Sequence, residues 1–234
     1  MGKNLRQQRR GRGSPRYRAP SHRYLGKVSY TYLPAGEKSG TVVDIVDAPG
    51  RFSPVAVVGF SGSKFLHLAC DGMFVGQRIS LEEPTEGSIV ELGRIPEGSR
   101  VYDIELHPGD GGKLCRTSGA FGTLLSKESG RCVVLLPSNE KKTLSSRCKA
   151  ALGSVAASGR IEKPFMKAGT KFYAMTASNR YWPKTRGVAK NAVDHPFGGQ
   201  TKPGKHKTVS RDMPPGKKVG SLSPKRVGKR RRKK

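Results

Sequence analysis

The residues with the most obvious capacity for chemistry are Asp194 and His195, which are adjacent in the last quarter of the 234-residue chain. A histidine beside a carboxylate could act as a general acid or base. Adjacent side chains of an extended loop point apart, however, so Asp194 need not orient His195. Catalysis would also need a third catalytic group and a concave pocket, and the sequence indicates neither. We therefore expect a structural role for His195 and predict that the protein is not an enzyme.

The four cysteines could in principle bind a metal or form disulfides. They are Cys70, Cys115, Cys132 and Cys148, and no two of them form a C-x-x-C pair. Their wide separations, with no histidine nearby, do not match zinc-finger spacing. The pattern favours buried or half-buried thiols in a reducing cytosol, although a zinc site assembled from distant residues remains an alternative. We predict no metal and no cofactor.

The net charge of +28 is concentrated at the two ends of the chain. Residues 1–36 contain 9 Lys and Arg and no acidic residue. Residues 160–234 contain 22 Lys and Arg and 3 Asp and Glu, whereas residues 37–159 contain 14 basic and 14 acidic residues. Charge of this density repels itself unless a polyanion neutralises it. Nucleic acid is therefore the favoured partner, and an anionic membrane surface is the main competitor. No stretch of about 20 apolar residues could span a bilayer, and the N-terminus is not a secretory signal, although a transit peptide stays open.

The basic ends combine arginine and lysine with glycine, proline and aromatic residues. Residues 1–24 have no helical or strand period, so we expect them to be disordered when free. A guanidinium pairs two phosphate oxygens and stacks on bases, which favours RNA, and Tyr17 and Tyr24 add stacking faces. Trp182, between basic residues, could stack on RNA or equally cover the base of a folded domain. The RNA-binding residues predicted in these ends are Arg6, Arg9, Arg10, Arg12, Arg16, Arg18, Arg23, Arg180, Trp182, Lys184, Lys205, Arg211, Lys217 and Lys218.

The neutral middle has the pattern of short strands separated by glycine and proline. β-branched or alternating apolar segments predict strands at 41–46, 55–60, 64–68, 74–75, 88–92, 100–106, 122–126 and 131–136. Residues 127–130 predict a hairpin loop. His67 alternates with Leu66 and Leu68, which predicts that its side chain lies on the outward face of the strand. Strands this short and this frequent favour small closed barrels or sandwiches. A break near residues 93–96 would divide them into two.

Two longer segments carry a family resemblance. Residues 109–119, GDGGKLCRTSG, resemble the "GGxLxRSAG" segment of the universal large-subunit ribosomal protein two family. Residues 186–199, RGVAKNAVDHPFGG, resemble the family signature "RGxAMNxVDHPxGG", and residues 147–153 also fit. Phe197, the short length and the PSHRYLGKVSY start resemble the archaeal or eukaryotic type. Lys190 stands where the family usually has Met, and Gln200 where a third Gly is common.

The resemblance implies a mainly β fold: an OB-fold barrel followed by an SH3-like barrel, with long irregular basic N- and C-terminal extensions. We place the N-terminal extension at 1–36, the OB-fold-like barrel at 37–93, the SH3-like barrel at 94–165, and the C-terminal extension with the VDHPFGG loop at 166–234. The implied location is the cytoplasmic ribosome, in the large subunit near the small-subunit interface. No membrane association and no homo-oligomer are expected.

The resemblance also implies a function: a structural constituent of the large ribosomal subunit that binds large-subunit rRNA. Such a protein would contact neighbouring ribosomal proteins and support subunit association and the organisation of the peptidyl transferase region. Pro196 fixes a backbone dihedral and the following glycines permit close approach, as expected of a tight loop inside RNA. The further rRNA-binding residues predicted are Arg116, Arg186, Lys190, Asn191, His195, Gly198 and Gly199.

Overall fold

The computed structural model describes residues 2–34, 36–200 and 207–224, and within these ranges the protein is mainly β. Twelve strands and two α-helices are present in this part of the chain, with 3-10 turns between them. The helices are α1 (Arg6–Gly11) and α2 (Ala168–Ala177). No helix among the described residues is long and apolar enough to cross a membrane. Lys205, one of the predicted RNA-binding residues, and the basic residues of the segment 228–234 lie outside the described residues.

The first sheet is antiparallel and has the strand order β3-β2-β1-β4. Its β-branched and apolar segments form strands because alternate side chains can enter a shared core. A bulge between Val42 and Asp44 shifts the register of the long first strand against the second. The strands are β1 (Ser39–Val46), β2 (Val55–Gly59), β3 (Lys64–Leu68) and β4 (Arg78–Ser80).

The second sheet is also antiparallel, with the order β5-β10-β6-β7-β8-β9. The hairpin between its longest strands closes through Ser129 and Gly130, both at positive φ, so the predicted hairpin is confirmed. Lys127 and Glu128, which were predicted in the loop, belong to the first of these strands. A separate parallel pair joins β11 (Thr208–Val209) to β12 (Ser221–Leu222). The six strands are β5 (Ile89–Glu91), β6 (Arg100–Tyr102), β7 (Gly122–Glu128), β8 (Arg131–Leu135), β9 (Lys141–Ser145) and β10 (Lys149–Leu152).

Most predicted strands are confirmed, but two of them differ from the prediction. Residues 74–75 form no strand, and both side chains are exposed in a turn. The strand predicted at 100–106 ends at Tyr102, because Asp103 has a positive φ of 47° that no strand accommodates. The change from the first sheet to the second lies between Ser80 and Ile89.

The prediction that His67 faces outward is wrong. Its ring is fully buried, with Nε2 2.9 Å from the Tyr102 hydroxyl oxygen, and that hydroxyl donates a hydrogen bond to the Leu68 carbonyl at 3.0 Å. The ring also stacks on Phe65 at 6.1 Å. Because β3 has side chains buried on both faces, alternation could not separate an inner face from an outer one.

The chain divides into two compact units, which we call the central unit (Ser21–Thr170) and the terminal unit (Met1–Pro20 with Lys171–Lys234). The central unit contains both antiparallel sheets and two clusters of buried apolar side chains. In the terminal unit the Lys3 N–H donates to the Val193 carbonyl at 2.8 Å, and the side chain of Leu5 is buried. The N-terminal residues, expected to be disordered when free, therefore fold with the C-terminal segment.

Candidate nucleic-acid interface

The positive charge is concentrated in the terminal unit. Its sequence contains 26 Lys and Arg and 2 Asp and Glu, whereas the central unit contains 19 and 15. The net charges are therefore +24 and +4. A polyanion that binds the terminal unit would release far more counterions than one that binds the central unit. The candidate interface therefore lies mainly in the terminal unit.

Tyr181 is the centre of a cluster that joins the two ends of the chain, which we call the Tyr181 cluster (Arg6, Arg16, Tyr17 and Tyr181). The Tyr17 and Tyr181 rings are nearly parallel, with centroids 6.0 Å apart. The guanidinium carbons of Arg6 and Arg16 each lie 5.1 Å from the Tyr181 centroid. Cation–π contact of this kind holds the arginines in place while their N–H edges can still donate hydrogen bonds.

The start of the N-terminal segment is folded as a capped helix. The Leu5 N–H donates to Gln8 Oε1 at 2.8 Å, which satisfies one of the backbone donors left free at the start of α1. Arg9 and Arg10 lie in the last turn of α1 and are exposed. Arg18 Nε donates to the Gly13 carbonyl at 2.6 Å, which closes the turn after the helix.

The signature loop at residues 190–199 is a tight turn closed by backbone hydrogen bonds. The Gly198 N–H donates to the His195 carbonyl at 2.9 Å, and the Gly199 N–H donates to the Lys190 carbonyl at 3.1 Å. Gly198 is buried, and a Cβ at this position would overlap the carbonyls of Lys190 and Asn191. Glycine is therefore required at 198 for the close approach of backbone segments.

His195 and Asp194 do not form an acid–base pair. His195 Nδ1 accepts the Phe197 N–H at 3.0 Å, whereas Asp194 Oδ1 lies 3.5 Å from Lys3 Nζ. Burial, together with the positive charges of Lys190 and Arg6, lowers the pKa of His195 below its ordinary value. The imidazole is thus neutral at pH 7, and because Nδ1 is an acceptor, Nε2 carries the proton.

Arg116 makes internal contacts in the central unit. Its Nη1 donates to the Gly112 carbonyl at 2.9 Å and its Nη2 to the Val28 carbonyl at 2.8 Å. Nε lies 2.9 Å from Oδ1 of the fully buried Asp103, at an angle that makes the contact ionic rather than a hydrogen bond. Gly112, at positive φ, leaves room for the Asp103 carboxylate. The guanidinium predicted for RNA therefore links three segments of the central unit.

The other predicted residues differ in exposure. Arg6, Trp182, Lys190, His195 and Gly199 are half-buried in the terminal unit. Trp182 has Lys171 Nζ 5.3 Å from its ring centroid. Arg23 is the one member of the predicted N-terminal set that belongs to the central unit, where it is exposed. The exposed members in the terminal unit are Arg9, Arg10, Arg12, Arg16, Arg18, Arg180, Lys184, Arg186, Asn191, Arg211, Lys217 and Lys218.

The four cysteines are free thiols, three of them buried and Cys115 half-buried, as the sequence predicted. Burial raises the pKa of every one of them, that of Cys115 to about 11. Within the described ranges, no group of three or more His, Cys, Asp and Glu side chains is arranged to hold a metal ion. These thiols are packing groups of the central unit.

Similarity to known proteins decides the family. The family model for Ribosomal Proteins L2, C-terminal domain, matches residues 85–218. The large ribosomal subunit protein uL2 of Natronomonas pharaonis is 48% identical over 236 residues, which cover 98% of this chain and 97% of that protein. The chain belongs to the ribosomal protein L2 family.

Two further members of the L2 family match over nearly the whole chain. The uL2 proteins of Methanococcus maripaludis and Methanothermobacter thermautotrophicus are 47% and 46% identical, each over its full length, and cover 98% and 99% of this chain. The family resemblance and its archaeal or eukaryotic type are thus confirmed. Sequence reasoning missed the Tyr181 cluster and the Lys3–Asp194 ion pair, because both join residues about 165 or more positions apart.

Proposed function

We propose that this protein is a structural constituent of the large ribosomal subunit, takes part in translation, and binds large-subunit rRNA mainly through its terminal unit. The observation that carries the proposal is the L2 family match over 98% of the chain. The net charge of +24 in the terminal unit supports rRNA as the ligand. A ribosomal structural protein is not an enzyme, and the pairing of Asp194 with Lys3 and of His195 Nδ1 with the Phe197 N–H agrees with this role.

For the contacts, we propose that arginine and lysine neutralise phosphates while the signature loop fits between RNA segments. The exposed basic residues of the terminal unit supply the charge. The neutral His195 offers its Nε2 proton to an RNA oxygen or base nitrogen, and Asn191 is exposed beside it. Arg116 makes at most a secondary contact with rRNA, because two of its N–H donors already bond to carbonyl groups inside the central unit. Lys205 completes the predicted set.

For the architecture, we propose an OB-fold barrel at 37–93 and an SH3-like barrel at 94–165, between extensions at 1–36 and 166–234. Two antiparallel sheets built from short strands support the pair of barrels. The family resemblance adds contacts with neighbouring ribosomal proteins and with the small-subunit interface. It also adds a supporting role in subunit association and in the organisation of the peptidyl transferase region.

Sedimentation tests the proposal directly. The protein should co-sediment with large ribosomal subunits at moderate salt and be released at high salt, because its binding depends on counterion release. It should also bind a large-subunit rRNA segment more tightly than an equal length of bulk DNA duplex. A free pool with no ribosome-bound fraction would contradict the proposed function, and equal affinity for any duplex would indicate a generic nucleic-acid compactor instead.

A further inference from the structure

A cleft of about 240 Å³ in the terminal unit is lined by both aromatic and basic side chains. Phe172 and Trp182 supply apolar rings, and Asn179 supplies a side-chain amide. Its volume is slightly below the roughly 300–1,000 Å³ of sites for drug-sized ligands. The cleft therefore suits a ligand with a single planar ring system. The basic residues that line it are Arg16, Arg18 and Arg180.

We infer that this cleft binds one unpaired rRNA nucleotide, with its base against Trp182 and its phosphate on the arginines, an inference that rests on the proposed function. Single-stranded bases are recognised by stacking on aromatic rings or guanidinium planes. A paired helix keeps its bases stacked inside and could offer the cleft only phosphates. Among the described residues that line the cleft, none is acidic, so nothing there repels a phosphate.

The walls of the cleft are held in place without RNA. Arg16 is fixed over Tyr181, whose ring also stacks on Tyr17. Asn179 lies two residues after the end of α2 in the left-handed conformation, with φ of 53°, and its N–H donates to the Thr176 carbonyl at 3.0 Å. The Arg180 N–H donates to the Met175 carbonyl at 2.7 Å. A preformed site has little ordering entropy to lose when the nucleotide enters.

Trp182 is the single tryptophan of the chain, so its emission reports on the cleft alone. The test titrates the full-length protein with three RNA hairpins that share one loop sequence and differ only in the stem. One stem is fully paired, one contains a single unpaired adenosine, and one has an abasic site at that position. The unpaired adenosine should quench the Trp182 emission and bind about tenfold more tightly than the abasic hairpin, as expected for one stacked base. Equal quenching and affinity for the adenosine and abasic hairpins would overturn the inference alone.

Variants separate the stacking from the charge, with anisotropy of labelled RNA as the readout. Trp182→Ala should abolish the preference for the unpaired adenosine while affinity for the paired hairpin is retained, and Trp182→Phe should restore part of it. Asn179→Gly keeps the left-handed backbone and removes the amide, so it should weaken the preference in a folded cleft. Tyr32→Ala, which removes an exposed aromatic side chain of the central unit, should leave the preference for the unpaired adenosine unchanged. A preference that survives Trp182→Ala would overturn the inference, and failure of all three hairpins to bind would overturn the proposed function with it.

Discussion

The central and terminal units are built from the same chain but rely on different interactions. The central unit, with a net charge of +4, buries two clusters of apolar side chains beneath its two sheets. In the described part of the terminal unit, only Leu5 and Val219 are buried apolar side chains. Its order comes instead from backbone hydrogen bonds, the Tyr181 cluster and the Lys3–Asp194 ion pair.

This difference has consequences for how each unit responds to solution conditions. Apolar burial contributes roughly 25 cal/mol per Å² and depends little on moderate salt. Cation–π contacts and exposed ion pairs each contribute about 1 kcal/mol or less, and the ion pairs are screened by salt. We therefore expect the central unit to fold as a stable body, whereas the terminal unit gains most of its stability from the RNA that neutralises its charge.

Arg116→Ala should have the largest effect on the central unit. It leaves the carboxylate of Asp103, which is fully buried, without its ionic partner. Removing one member of a buried ion pair costs about 3–5 kcal/mol. Urea unfolding followed by tyrosine absorbance should show this loss.

The matched control is Arg94→Ala, which removes an exposed arginine 4.0 Å from Glu91. It should cost less than about 1 kcal/mol. A similar loss for the two variants would mean that the interior of the central unit does not depend on the Asp103–Arg116 pair.

The pH dependence of the central unit should contain two opposed contributions. Burial lowers the pKa of His67 to about 4, so its contribution to stability is complete above pH 6.5 and is lost as the pH falls toward 4. Burial also raises the pKa of Asp103 to about 6, so its ionisation penalty is complete above pH 6 and is relieved as the pH falls toward 4. Each amounts to ~3 kcal/mol, and in the wild type they largely cancel.

Single substitutions should expose each contribution. Relative to wild type, His67→Gln should become more stable, and Asp103→Asn less stable, when the pH is lowered from 7 to 4.5. The comparison uses urea unfolding of each variant and of the wild type at both pH values. Parallel pH profiles for all three proteins would show that neither group changes its pKa on folding.

Gly198→Ala should affect the terminal unit alone. The added Cβ meets the carbonyls of Lys190 and Asn191, so the signature loop must open at a cost of ~1–3 kcal/mol. Hydrogen exchange of residues 190–199 should accelerate and rRNA affinity should fall, while unfolding of the central unit stays unchanged. Gly11→Ala is the control, because a Cβ there meets nothing within 4 Å. Unchanged exchange in Gly198→Ala would contradict the described loop.

The sequence predicted the features that depend on local pattern or on charge. Strands β1, β2, β3, β7 and β8 follow from β-branched runs bounded by glycine and proline. The concentration of positive charge at the two ends of the chain also follows from a count of the charged residues in the sequence. The tight signature loop follows from proline and adjacent glycines, although the overlap that requires Gly198 depends on the folded backbone.

The features that the sequence did not predict depend on contacts between residues that are distant in the chain. The burial of His67 depends on Tyr102, 35 positions away, and the role of Arg116 depends on Val28, 88 positions away. The short helix α1 has no apolar stripe, and its cap is a single glutamine side chain. Periodicity reports which face is buried, but it does not report which partner a buried polar group will find.

The most direct test of the contrast between the two units is the salt dependence of rRNA binding. One variant replaces Arg9, Arg10, Arg12 and Lys184 of the terminal unit with glutamine, and the matched variant replaces the exposed Lys64, Lys113, Lys141 and Lys142 of the central unit. Each phosphate contact contributes roughly 0.7–0.9 to the slope of log affinity against log salt concentration. The terminal variant should therefore lose about 3 units of slope, and the central variant less than about 1 unit. Equal losses in the two variants would contradict the proposal that the terminal unit is the principal rRNA-binding part of the protein.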